Sequence, residues 1–140
     1  MKSKYQTAHM RAAHLYAELS TARRLKVGAL IVKDDRIISI GYNGTPSGWD
    51  NNCEFELDDG ALKTKPEVLH AEMNAVSKLA KSSESGDGAS IFITHAPCID
   101  CAKMIYQSGI KEVYYSTEYR DTSGVEFLKK CKVKVKQVNV

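Results

Sequence analysis

K111-E-V-Y-Y-S116, T122-S-G-V-E-F-L-K-K-C131 and K132-V-K-V-K-Q-V138 stand almost end to end, and their reading decides the fold. The first run reads as a strand. The second places Val125, Leu128 and Phe127 on one helical face, and the third alternates strictly, as a half-buried strand does. A helix between two strands is the long crossover that parallel pairing needs, and a right-handed crossover makes the two strands parallel neighbours. Lys132, Lys134 and Lys136 then share one face of the last strand. There their charge protects an exposed edge or face, and they lack the interleaved aromatics of a nucleic-acid surface.

Working outward, Cys98 to Ser108 reads as a helix stopped by Gly109, where a left-handed residue is wanted. Ala89 to Thr94 is a buried strand. A helix from Ala71 to Lys81 buries Ala75, Val76 and Leu79 and ends in the flexible S82-S-E-S-G-D-G88. Gly44 to Pro66 holds five glycine or proline residues without sustained periodicity and reads as a long surface loop. Val27 to Lys33 and Arg36 to Tyr42 form a hairpin around Asp34-Asp35, a two-residue turn without the favoured glycine. Lys4 to Leu19 sets Ala8, Ala12, Leu15 and Leu19 on one stripe, broadened by Ala13, Tyr16 and Ala17, and reads as an amphipathic helix packed on a sheet. The order α, β-hairpin, α, β, α, β, α, β describes a three-layer α/β/α domain with a five-stranded mixed sheet whose last two strands are parallel.

The 140 residues suit a single domain spanning 1–140 with one respectable core. Apolar residues make up 43% and charged residues 26%, ordinary for a soluble globular chain, and no apolar run is long enough to cross a bilayer. The N-terminus enters an amphipathic pattern instead of a signal sequence, so the expected location is cytoplasmic, or the host cytoplasm for a viral chain. In that compartment four cysteines are not a disulfide framework, and the close pair Cys98 and Cys101 points to metal or catalysis. A net charge of +3 suits a phosphate-bearing small molecule as well as nucleic acid.

His70 and Glu72 open one helix, and Cys98 and Cys101 open the next. Cysteines three apart lie on the same side of a helix, whose N-terminus favours thiolate over thiol. Pro97 suits the helix entrance, where a missing N–H costs nothing. Two thiolates and an imidazole suit Zn²⁺, and three protein ligands leave the fourth tetrahedral position open, the mark of a catalytic site. Glu72, two residues beyond a ligand, stands beside the metal without having to bind it and is assigned proton transfer. Taken separately, the Cys-x-x-Cys could be a redox pair and the His-x-Glu a chance occurrence. A structural site would recruit a fourth ligand, with Cys53, Cys131 and His95 as candidates.

His-x-Glu followed by Pro-Cys-x-x-Cys is the signature of zinc-dependent nucleobase deaminases. Through K26-V-G-A-L-I-V32, G41-Y-N-G44, H70-A-E-M-N-A75, T94-H-A-P-C-I-D-C-A-K103 and S108-G-I110, the chain resembles the cytidine deaminase superfamily, and within it the deoxycytidylate (dCMP) deaminases. The resemblance implies the cytidine deaminase-like fold and a hydrolase acting on a cyclic amidine C–N bond. One catalytic Zn²⁺ per subunit would sit on His70, Cys98 and Cys101, with Glu72 catalytic. It further implies that Asn43 meets the sugar, the Ala71 backbone meets the base, Tyr119 closes over the ring, and Arg24 and Arg120 grip the phosphate. Many members of the family it resembles are homohexamers activated by dCTP with Mg²⁺ and inhibited by dTTP, with an effector site that involves the loop after G-Y-N-G and a neighbouring subunit. That loop brings Gly44, Asp50 and Asn51 forward as effector-site candidates. The alternatives are a transfer-RNA or polynucleotide deaminase on the same fold, and a non-catalytic structural zinc module; nucleic acid and membrane are not the expected partners.

Overall fold

The computed structural model describes all 140 residues, Met1–Val140. In chain order the elements are α1 (Ser3–Ala17), β1 (Gly28–Lys33), β2 (Arg36–Tyr42), β3 (Glu54–Glu56), β4 (Leu62–Thr64), α2 (Ala71–Ala80), β5 (Ser90–His95), α3 (Ile99–Gln107), β6 (Glu112–Thr117), α4 (Ser123–Lys130) and β7 (Lys134–Gln137). Five strands form one mixed sheet in the order β2-β1-β5-β6-β7. β1 runs antiparallel to β2 and β5, whereas β5, β6 and β7 are mutually parallel through the crossovers α3 and α4. The strand–helix–strand reading of the C-terminal stretch therefore holds and extends by one strand.

Alternation along the strands builds two cores. Ala29, Ile31, Ile91, Ile93 and Val113 face α2, α3 and α4, meeting Ala75, Leu79, Ala102, Ile105 and Leu128. Leu30, Val32, Phe92 and Tyr114 face the other way onto Met10 and Ala13 of α1. Each face of the pleat thus removes its apolar set from water, with one helix on one side and three on the other. Asp34 and Asp35 adopt φ of 51° and 59°, the conformation of a type I′ turn, so the hairpin forms without glycine.

Three expectations fail in detail. First, α1 buries Gln6, Met10, Ala13 and Ala17, while Leu15 and Leu19 are 63% and 57% exposed. The reason is close approach: a Cβ on Gly28 would lie 2.1 Å from the Ala13 carbonyl oxygen, so the helix seats its small-residue face on the strand. Gln6 is drawn in by hydrogen bonds, donating to the Met1 carbonyl at 2.8 Å and accepting from Lys136 at 2.9 Å. Second, the 44–66 segment is not all loop, because β3 and β4 pair antiparallel and Cys53 and Glu54 are buried. Third, Lys132 precedes β7 at a positive φ of 61°, so only Lys134 and Lys136 share a face of that strand. In α4 the fully buried positions are Gly124 and Leu128; Val125 and Phe127, like Val76 in α2, are half-buried.

Candidate active site

α2 and α3 pack on the same side of the sheet, and each begins with a residue of the candidate site. His70 is the N-cap of α2 and Cys98 the N-cap of α3, both in extended conformation, and the Cys98 sulfur accepts the Cys101 N–H at 3.5 Å. Two glycine contacts set these starts. A Cβ on Gly41 would lie 2.3 Å from the Ala71 carbonyl oxygen, and one on Gly124 would lie 2.2 Å from the Pro97 carbonyl oxygen. β2 therefore touches the backbone of α2's first turn, and α4 touches the backbone leading into α3. Ser39 and Asn74 add tethers between β2 and α2, donating to the carbonyls of Ala75 and Tyr42 at 2.6 and 2.8 Å.

The result brings three donors together. His70 Nδ1 lies 3.3 Å from Cys101 Sγ and 3.7 Å from Cys98 Sγ, and all three donor atoms lie within 4.8 Å of one another. Zn–S bonds near 2.3 Å and Zn–N bonds near 2.0–2.1 Å at a tetrahedral angle require N–S separations of about 3.6 Å. The observed spacing brackets that figure, so donor type and geometry fit zinc. Cys101 is fully buried, Cys98 half-buried and His70 exposed at the edge.

Electrostatics in this cluster are coupled. The hydrogen bond from the Cys101 thiol, followed by that of His70, pulls the Cys98 thiol down to about 4. Cys101 moves the opposite way, held protonated first by that same hydrogen bond and then by burial. His70 is raised, chiefly by its hydrogen bond to Cys98. The chain by itself thus favours thiolate at Cys98 and thiol at Cys101, whose proton a bound dication would displace. Glu72 is 4% exposed, and burial pushes its carboxyl up to about 7.

A half-open cavity of about 430 Å³ lies over this cluster. Its lining comes from four parts of the chain: Ala22, Arg24, Leu25 and Val27 with Asn43; Cys53, Glu54, Thr64 and Val68; His70 to Glu72; and His95, Ala96 and Cys98 with Tyr119 and Arg120. Of the residues singled out from the sequence, His70, Ala71, Glu72, Cys98, Asn43, Arg24, Tyr119 and Arg120 all reach it, while Cys101 sits behind the lining. Gly44, Asp50 and Asn51 do not reach it. The Asn43 amide is already engaged, accepting from Val27 N–H at 2.9 Å and donating to the Leu25 carbonyl at 2.8 Å, so it pins one side of the cavity. Tyr119 sets its ring edge-on to His95, with centroids 5.2 Å apart. Sequence reasoning missed Glu54 and Thr64, because nothing in a 23-residue stretch read as loop showed that it folds back over the pocket.

Comparison with known proteins agrees with this arrangement. Residues 3–117 match the cytidine and deoxycytidylate deaminase zinc-binding region. The dCMP deaminase of cyanophage S-TIM5, solved in complex with dCMP and dUMP, is 50% identical with a TM-score of 0.91, the match covering 99% of each chain. ComE operon protein 2 of Bacillus subtilis is 43% identical over 136 residues, covering 94% of this chain and 69% of that protein. Human deoxycytidylate deaminase is 41% identical over 123 residues, 81% of this chain and 65% of that one. With the ligand cluster, the buried glutamate and the mixed sheet all in place, the chain belongs to the zinc-binding cytidine and deoxycytidylate deaminase family.

Proposed function

We propose that this chain, acting as one catalytic domain over residues 1–140, hydrolyses dCMP to dUMP and ammonia, in the supply of dTMP precursor within the cytoplasm. One observation carries the reading: a His/Cys/Cys cluster and a buried glutamate share a cavity with two arginines, Arg24 and Arg120. Neither arginine forms an ion pair within the chain. His70, Cys98 and Cys101 would hold zinc. When bound, zinc supplies the Lewis acidity that lets water lose a proton near neutral pH.

The Glu72 carboxylate accepts one proton of water and passes it to N3 of the cytosine ring, then accepts the second from the oxygen added at C4 and passes it to the departing amine. The oxygen of water becomes the C4 carbonyl oxygen of dUMP, and the amine leaves as ammonia. The Ala71 backbone meets the base. Asn43 retains one N–H and one lone pair for the sugar while holding Leu25 and Val27 in place. Tyr119, braced on His95, closes over the ring, and Arg24 and Arg120 take the phosphate.

The reading extends to a homohexamer activated by dCTP with Mg²⁺ and inhibited by dTTP. Gly44, Asp50 and Asn51 lie outside the cavity lining, which suits an effector role, and Asp50 would face a triphosphate only with a cation between them. Rates on dCMP, CMP, deoxycytidine and dCTP, measured side by side with and without dCTP–Mg²⁺ and dTTP, test the whole proposal. dCMP is expected to be the best substrate, with opposite responses to the two effectors. Zinc-loaded protein that leaves dCMP untouched would sink it.

A further inference from the structure

Glu54 is an acid in an unexpected place. It begins the short hairpin β3–β4 inside a segment rich in polar residues and turns, yet it is 2% exposed. A buried carboxylate without partners is strongly unfavourable, so its partners show what it holds. Its oxygens accept the Arg23 N–H at 3.0 and 3.2 Å and the Arg24 N–H at 3.0 Å. Two consecutive backbone amides are therefore aimed at one carboxylate, which fixes the peptide planes on both sides of Arg23.

The neighbouring arginines are thereby given different roles. Arg23 turns its guanidinium to Glu54 at 3.6 Å and to Glu56 at 3.0 Å, with Asn52 at 3.4 Å. Its charge is satisfied within the chain. Arg24 has no ion pair in the chain, and it lines the cavity that also holds Glu72. The carboxylate itself lines that cavity, but its charge is taken up by the two amides and by Arg23, so it opposes an incoming anion less than a free acid would.

We propose that Glu54 is a positioning residue that presents Arg24 to the phosphate of the substrate. The proposal rests on the nucleotide reading above and deepens it. A long, flexible arginine loses much rotamer freedom when it grips an anion, and fixing its backbone in advance lowers what remains to be lost. The hairpin β3–β4 accordingly braces the phosphate end of the pocket from outside the zinc cluster.

The test is the ratio of kcat/KM for dCMP to that for deoxycytidine, which carries no phosphate, in zinc-loaded wild type, Glu54→Gln, Arg24→Ala and the double variant. Wild type is expected to favour dCMP, and each single variant to lower the ratio by about tenfold or more, through KM for dCMP. Glu54→Gln should add nothing in the Arg24→Ala background, because the two act as one unit. Should Glu54→Gln fail to fold, Glu54→Asp keeps the charge, shortens the reach to the two amides, and should lower the ratio in the same way. A variant of Glu54 that slows both substrates equally, or lowers the ratio further when Arg24 is already gone, overturns the inference. Wild type that treats the two substrates alike overturns the nucleotide reading itself and this inference with it, whereas wild-type discrimination that survives at Glu54→Gln overturns the inference alone.

Discussion

Glu72 is subject to two opposing influences. Burial pushes its carboxyl up to about 7, and a dication on the neighbouring ligands would pull it down again by Coulomb attraction. A group balanced this way can exchange a proton with water and with a ring nitrogen near neutral pH, which is the property a proton shuttle needs. Glu72→Gln keeps the shape and removes the exchangeable charge. It should retain stoichiometric zinc and lose turnover by about 10²- to 10⁴-fold, read by metal analysis beside a rate assay. A normal rate would remove Glu72 from the chemistry. Away from the site, burial would raise the Glu112 carboxyl, but hydrogen bonds from Ser90 at 2.8 Å and Tyr114 at 3.0 Å, with Lys134 at 3.3 Å, outweigh it and hold it below its ordinary value. A carboxylate with a depressed folded pKa adds stability that is present above its unfolded pKa and is lost as the pH falls through the folded one. Glu112→Gln should therefore melt below wild type at neutral pH, and the gap in Tm should close as the pH drops below about 4.5.

Among the elements, the helix starts matter most. His70 and Cys98 cap α2 and α3 and Cys101 lies in the first turn of α3, and each helix start is set by a backbone-to-backbone contact with no room for a side chain. Gly124→Ala would force α4 away from Pro97 and Cys98 or shift the Cys98 backbone. Supporting contacts of this kind commonly alter metal affinity by about 10- to 100-fold, so zinc affinity by chelator competition should fall within that range. Ser123→Ala, one residue away, leaves that close contact intact and should leave affinity unchanged. The β1–β2 turn offers a gain. Asp35 sits at a φ of 59°, where a side chain is strained and glycine is not. Asp35→Gly should stabilise the hairpin by about 0.5–1 kcal/mol, visible as a rise in Tm.

For the whole molecule, the two apolar cores lie on opposite faces of the sheet, and neither contains His70, Cys98 or Cys101, although Ala71 and Ala102, next to His70 and Cys101, belong to one of them. Metal should therefore tie two helix starts together without being required for the fold. Chelation is expected to abolish activity and lower Tm, since a ligand present at 1,000 times its Kd contributes about 4 kcal/mol. Far-UV circular dichroism should keep its α/β shape. Collapse of that spectrum on chelation would mark the zinc as structural instead.

The order of the main elements, the parallel C-terminal strands and the residues of the His/Cys/Cys cluster, with Glu72 buried close by, were legible in the sequence. Each depends on local periods and short spacings: alternation in K132-V-K-V-K-Q-V138, a helix between two strands, His70 and Glu72 two residues apart, and Cys98 and Cys101 three apart. Three things were decided only in three dimensions. The face of α1 that packs was set by the approach of Ala13 to Gly28, which favoured small residues over the larger leucines. The hairpin within residues 44–66 pairs strands of three residues, too short to show a period. Glu54 carried no signal at all, because a glutamate in a polar loop looks solvated until the chain brings two backbone amides 30 and 31 residues upstream against it. Local patterns are written in sequence, whereas close backbone approach and the burial of a charge depend on partners far along the chain, and these exist only after the sheet has assembled.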